Sequence, residues 1–474
     1  MRLIINEDNS HFYYQKPGEA VKNAEGFINQ YIDTGVTDLF FNVNCQRASY
    51  DSKVFEPVWK GTNINESYDG GELYPMSDFT QNAEQLNGKG RNVYTDWIIM
   101  CRKNKISPWI SMRMNDIHSV HDENHTLHSD FWKNHPERRR VNYRNTNKWT
   151  DKALDFARED VRSRALAFIN EIAEIYDLDG LELDWMRFGF HFKPGFEREG
   201  VLIINQFTRE VRNILNKAEQ KRDHKINLAV RVPPRPETAL GLGYDPVAWA
   251  CEDLIDLFII TPFLHADTDM PVEIWRRMLR GTKTKIAVGI ETGLLPYRGA
   301  EILINDWETV RGMAWSYIHK KADAVYLFNY MHSGIPFEDR GECELQRDNA
   351  KYRECLKEIS GKSKLEGKNR RHIVSQPDIW APGEPKSYSL PVDLGGWVEI
   401  RIYTGEAPKN QEAYVIISVK NGEAPEIYIN GAKCEKAEYR VNTQPVPYDN
   451  QHSYKIPSAA LHDGHNLKIG RAHV

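Results

Sequence analysis

Runs of strand-forming residues alternate with amphipathic runs eight times over the first 360 residues, and no other feature of the chain constrains its fold as tightly. The strand-like runs are Leu3–Asn6, Asp38–Val43, Trp109–Met114, Gly180–Trp185, Ile226–Val232, Leu257–Thr261, Ile286–Ile290 and Ala324–Asn329. Helix-like runs follow them near residues 20–34, 92–103, 161–176, 200–219, 246–253, 272–279, 306–320 and 343–360. Alternation of this kind implies βαβ units and a parallel sheet buried on both faces. Eight units in this length predict an α/β fold, a closed (β/α)8 TIM barrel with insertions. The other solution is an open doubly wound sheet. No Gly-rich fingerprint follows the first strand, so neither that fold nor a dinucleotide cofactor is called for.

After residue 360 the pattern changes. Residues 361–371 are rich in Lys, Arg and Gly and read as a linker. From His372 short alternating runs (398–403, 413–419, 426–429) are separated by Asn-Gly and Asp-Gly turn signals, which predicts a β-sandwich over 372–474. The expected domains are therefore 1–360, a catalytic barrel, and 372–474, an accessory module that steadies it or helps to bind substrate.

In such a barrel chemistry gathers where the strands end. All eight strand ends are polar: Asn6 to Asn9; Asn42, Asn44 and Arg47; Arg113, Asn115, Asp116 and His118; Asp184 and Arg187; Arg231 and then Glu237; Thr261, then His265 and Asp267; Glu291 and Thr292; Asn329, Tyr330 and His332. In the fourth run, Asp179-Gly180-Leu181-Glu182-Leu183-Asp184-Trp185, a turn at Asp179-Gly180 enters a strand, and its period of two puts Glu182 and Asp184 on one face. Two carboxylates inside a sheet are costly unless they are paired or lie at its open end. Glu291 ends the seventh run as an isolated carboxyl after apolar residues, so burial should raise its pKa and suit it to donate a proton. Asp184, with Arg187 nearby to keep it ionised, suits a nucleophile or base. Glycosidic cleavage needs such a pair. The expected catalytic residues are Asp184 and Glu291. Glu182, Arg187, Arg113, Asn115, Asp116, His118, Arg231 and Tyr330 are expected to hold the sugar, and Trp185 to stack on it. The long loops after the second and third strands carry aromatics (Tyr50, Phe55, Trp59, Tyr68 and Tyr74; Trp132 and Trp149) suited to the walls of a cleft.

The fourth run resembles the strand-four signature of the chitinase family, whose spaced carboxylates end in a catalytic Glu. Met186 stands at that place here, so the chitinase mechanism is not carried over. In architecture the chain resembles the barrel glycoside hydrolases. Their largest clan places its carboxylates at the ends of strands four and seven, where Asp184 and Glu291 lie. That clan usually has Asn before a strand-four Glu, and this chain has Leu183 before Asp184. The tail, through Ile427-Tyr428-Ile429-Asn430-Gly431 and 461–467, is similar to sandwiches appended to such enzymes.

The expectation is a glycosidase acting on an oligo- or polysaccharide without cofactor or metal. One alternative is a catalytically silent sugar-binding barrel. Another is a metal-assisted hydrolase or lyase using Asp116 and the histidines at 118, 121, 125 and 128, whose spacing fits one helical face. A net charge of −5 gives no reason to expect nucleic acid or an anionic membrane as partner. No apolar run approaches the ~20 residues that span a bilayer. The N-terminus has no apolar leader, so the expected location is cytoplasmic, or periplasmic or secreted if a leader has been removed. The six scattered cysteines read as buried free thiols.

Overall fold

The computed structural model describes the chain except residues 9, 14, 16–17, 62–75, 144–147, 331–348, 394, 410, 421–423, 440–449 and 472–474. Tyr68, Tyr74, His332 and Cys343 therefore lie outside the described residues.

Eight parallel strands close into a barrel, in chain order around the ring: β1 (Arg2–Glu7), β2 (Asp38–Asn42), β3 (Ser107–Arg113), β4 (Gly180–Asp184), β5 (Asn227–Val232), β6 (Leu257–Ile260), β7 (Lys285–Glu291) and β8 (Ala324–Phe328), with β8 pairing back to β1. The chain is a (β/α)8 barrel. Alternate strand residues fill the lumen, including Ile4, Phe40, Trp109, Ile259, Tyr326 and Phe328, and Phe40 stacks on Trp109 at 4.6 Å. Their neighbours, such as Leu181 and Leu183, face the helices in the larger outer core. The helix Glu159–Ile175 shows the rule: Val161, Ala165, Phe168, Ile169 and Ile172 recur at three- and four-residue steps and are its buried face.

Gly180 lies inside β4 and is not a turn residue. A β-carbon there would overlap the Trp109 indole, so the glycine makes room for the aromatic floor of the barrel. The first long loop contains a helix, Met76–Asn87, that its polar sequence did not announce. Its described aromatics Tyr50, Phe55 and Trp59 pack on the core. Tyr50 and Phe55 stack on Phe168 of the helix Glu159–Ile175, and the Tyr50 hydroxyl donates to Glu171 at 2.8 Å. Of the five described cysteines four are buried, but Cys251 is exposed.

The tail forms two antiparallel sheets, one of β9 (Val398–Tyr403), β15 (His465–Arg471), β11 (Glu426–Ile429) and β12 (Ala432–Lys433), the other of β10 (Tyr414–Val419), β14 (Asn450–Lys455) and β13 (Glu435–Ala437). Ile427, Ile429 and Tyr454 meet Val415 and Ile417 between them, as a sandwich requires. The boundary differs from the expectation at 372. Residues 361–371 are docked, with Leu365 buried and Arg371 paired with Asp306 and Glu308. Residues 373–384 run along the barrel as a strap. Ile379 and Ala381 join the barrel core, and the Asp378 carboxylate accepts the backbone N–H groups of Phe263, Leu264 and His265. Residues 373–384 form no strand; contacts with the outside of the barrel order them where composition suggested a sheet.

Deleting residues 398–474 should therefore lower the melting temperature modestly. Deleting from residue 372 should cost several kcal/mol more, since two core residues and a three-donor cap go with it. Equal melting temperatures for the two truncations would show that the strap adds nothing.

Candidate active site at the barrel mouth

Parallel register sets the site. Arg113, Asp184 and Arg231 are direct neighbours across β3, β4 and β5, so three charged side chains share one lumen row at the C-terminal end. Asp184 is 1% exposed and Arg231 fully buried. Arg231 Nη1 lies 3.0 Å from both Asp184 oxygens, and the guanidinium sits 3.9 Å over the Phe328 ring. The Met186 and Arg187 backbone N–H groups also donate to Asp184 Oδ1, at 3.0 and 2.9 Å. Oδ2 accepts from Arg231 alone, so it is the oxygen with a lone pair to spare. Burial opposes the charge on Arg231, but Asp184, Tyr326, Glu182 and Glu291 hold its pKa above the usual value.

Arg113 turns the other way. It pairs with Asp8 and, at 3.1 Å, with Asp116. Asp116 also accepts the His118 backbone N–H at 3.0 Å and lies 2.8 Å from its Nδ1. Burial alone would raise the Asp116 carboxyl, but His118 and Arg113 hold it well below the usual range. Arg187 does not neutralise Asp184, contrary to the sequence expectation. Its guanidinium points to His118 Nε2 at 3.0 Å, because Arg231 on the adjacent strand already occupies the carboxylate.

One layer below, Glu182 accepts from Ser111 Oγ and from the Tyr326 hydroxyl at 3.2 Å, while its Oε1 has no partner. Burial, and then the charge of Asp184, push its pKa well above the ordinary carboxyl value. The neighbour effect of the two strand-four acids thus falls on Glu182. At the end of β7, Glu291 Oε1 accepts from Asn329 at 2.6 Å and from the Thr292 N–H at 3.1 Å, and Oε2 has no partner. Burial raises its pKa to about 7, with Asn329, Arg187 and Arg231 pulling in the opposite direction. Asn329 reaches it from a left-handed backbone (φ 62°), which asparagine tolerates better than most residues.

Three expected substrate contacts are structural instead. Trp185 is fully buried outside the lumen, edge-on to Phe156, His191 and Phe207, because it is one residue out of phase with Asp184. Asn115 is occupied within the loops, donating to the Leu154 carbonyl at 2.9 Å and accepting from the Leu154 N–H at 2.9 Å. Tyr330 donates to the Glu291 carbonyl at 3.1 Å and accepts from Asn305 at 3.3 Å, so it ties β7 to β8. The exposed aromatic surface comes from the second long loop, at Trp149, one of the two tryptophans expected to wall a cleft. Trp149, 41% exposed, stacks on Phe263 at 5.9 Å and meets Phe188 edge-on at 5.6 Å. Phe188 in turn lies 4.7 Å from His118.

The remaining histidines of that loop do not converge. His125 and His128 are buried, with His128 Nε2 2.8 Å from the His118 carbonyl. Burial lowers the His128 pKa to about 4. Among the described residues no group of three or more His, Cys, Asp or Glu side chains is placed to hold a metal ion, and no helix is long and apolar enough to cross a membrane. A cleft of about 740 Å3 opens at the opposite, N-terminal end of the barrel, beside Arg2, Asp38, Lys225 and Lys285. That end is where conserved barrels keep packing and not chemistry.

No family model and no curated protein matches the chain. Among solved structures it is similar to α-L-fucosidase isoenzyme 1 from Paenibacillus thiaminolyticus (12% identity, TM-score 0.39, 100% of this chain and 96% of that one). It is also similar to the PgaB (BpsB) glycoside hydrolase domain from Bordetella bronchiseptica (10%, 0.42, 76% and 98%). A third is the β-galactosidase from the psychrophilic Marinomonas ef1 (9%, 0.44, 75% and 58%). The barrel itself is established by its strand order, and the chemistry has to come from the residues at its mouth.

Glu182 generates a prediction. With its folded pKa raised, the native state holds a proton that the unfolded state releases, so stability falls as pH rises above the ordinary carboxyl range. In Glu182→Gln that part of the pH dependence should vanish. Denaturant titrations from pH 5 to 9 read it directly, and parallel curves for the two proteins would contradict the buried, protonated carboxyl.

Proposed function

We propose that this barrel is a glycoside hydrolase in which Glu291 protonates the leaving oxygen and Asp184 acts as nucleophile or base on the opposite side. The observation that carries the reading is the contrast between the two carboxyls. Glu291 is buried, has a pKa raised to about 7 and an unpartnered Oε2, whereas Asp184 is ion-paired with a buried arginine and keeps Oδ2 available. A buried carboxyl that holds its proton, together with a carboxylate ion-paired to arginine, is what an acid and its partner require. Arg231 supports the role of Asp184, since its charge faces that carboxylate directly; its longer-range pull on Glu291 works against the proton there and is outweighed by burial. Trp149, braced edge-on by Phe188 and stacked on Phe263, supplies a flat exposed face on which a sugar can lie.

The chitinase route does not apply, because the position its Glu would need holds Met186, which is fully buried. The same feature favours, as the second reading, a barrel that binds sugar without cleaving it.

Turnover of a panel of aryl glycosides tests this. Glu291→Gln should lower kcat by ~10²–10⁴-fold, as for loss of a positioned acid. The loss should shrink for leaving groups that need no protonation. Asp184→Asn should lose at least as much with every leaving group. Since Glu291 works protonated, kcat/KM should fall as pH rises through about 7. Sugar binding with no turnover of any glycoside would replace the hydrolase with the binding barrel. Near-normal turnover by Glu291→Gln would remove β7 from the machinery.

A further inference from the structure

Of Arg113, Arg187 and Arg231 at the mouth, two are neutralised. Arg113 is held by Asp8 and Asp116, and Arg231 by Asp184. Arg187 forms no ion pair with any described carboxylate. Its bond is to the His118 ring at 3.0 Å, and its Nε is buried without a partner. Asp116 accepts the His118 backbone N–H and meets the ring at Nδ1, which turns Nε2 toward the guanidinium. Arg187 is thus oriented by a group that does not cancel its charge. The Phe188 and Phe328 rings, 5.6 and 5.4 Å from it, limit its movement further. A half-buried guanidinium that no carboxylate contacts directly is costly; burial and nearby Arg113 lower its pKa, with Asp8, Asp116 and Glu291 acting the other way at longer range. A second group points the same way. Asn6, at the lumen-facing end of β1 and 1% exposed, has no partner for either side-chain amide atom. Asp8, two residues on and on the same face, is the acid that takes Arg113 and leaves Arg187 without one.

We propose that the mouth takes a glycan bearing an anionic group, a uronic carboxylate or a sulfate ester, whose oxygens receive the Arg187 fork. Asn6 donates to, and accepts from, the adjoining ring hydroxyls. An oxyanion suits this place because a guanidinium offers paired, coplanar donors. A neutral sugar leaves the cation uncompensated. This inference rests on the reading of the mouth as a sugar site, but not on cleavage.

Calorimetry on the full chain tests it with three oligosaccharide sets of matched size: neutral, uronic and sulfated. At least one acidic set should bind tenfold or more tighter than the neutral set, and comparing the two acidic sets identifies the oxyanion. Arg187→Met should weaken that acidic set by the whole of its preference, tenfold or more, bringing it to the level of the neutral one. Arg187→Lys, which keeps the charge but loses the fork, should fall between, and it carries the test if the Met variant does not fold. Equal wild-type affinity for acidic and neutral sets overturns the proposal, as does an acidic preference that survives both variants. Arg187-dependent acidic binding without turnover upholds the proposal and removes the hydrolase reading. Turnover confined to neutral glycans does the reverse.

Discussion

The ion pair between Asp184 and Arg231 is the interaction on which the rest of the mouth depends. It sits in the lumen with both members almost wholly removed from water. Breaking such a pair by removing one member typically costs 3–5 kcal/mol, because the other charge is left buried. Its presence decides the state of every neighbour. Glu182, one layer down, feels the Asp184 charge and keeps its proton. Arg113, denied Asp184, turns to Asp8 and Asp116, and Arg187, denied it as well, turns to His118. Three side chains take up their roles because one carboxylate is already committed.

That commitment follows from register. In a parallel barrel each strand lies at a fixed offset from the next, and here the offset puts Arg113, Asp184 and Arg231 abreast. A slip of one residue would send all three into the helix layer. The bulky floor of Trp109, Phe40 and Tyr326 guards against such a slip, and Gly180 is the concession β4 makes to it. Packing at the bottom of the barrel therefore sets the electrostatics at the top.

The sandwich and its strap act on the same structure from outside. Arg401 of β9 pairs with Asp269 in the loop after β6, and the Ser316 hydroxyl donates to the Tyr403 carbonyl. Through Asp378 the strap also orders the segment that carries Phe263, the ring under Trp149. The aromatic rim is thereby linked to residues far beyond the barrel in sequence.

Much of this was legible in the chain alone. The eight strands, the barrel and the polar strand ends are local patterns of period two and 3.6, written in residues that each strand or helix carries by itself. The shared face of Glu182 and Asp184, and the emergence of Glu291 from an apolar strand, are equally local. What only the tertiary structure decided is partnership. Trp185 stands one residue out of phase with Asp184, so its place away from the lumen was also legible locally; its ring partners Phe156, His191 and Phe207 were not. Arg187 looks like the counter-ion of Asp184 until Arg231, 47 residues away from that acid, is brought alongside it. Asn115 and Tyr330 stand at strand ends like binding groups, yet loops folded over them use up their hydrogen bonds. A side chain's type and phase are properties of the sequence nearby. Which charge it meets, and whether water reaches it, depends on strands that are neighbours only after the barrel has closed.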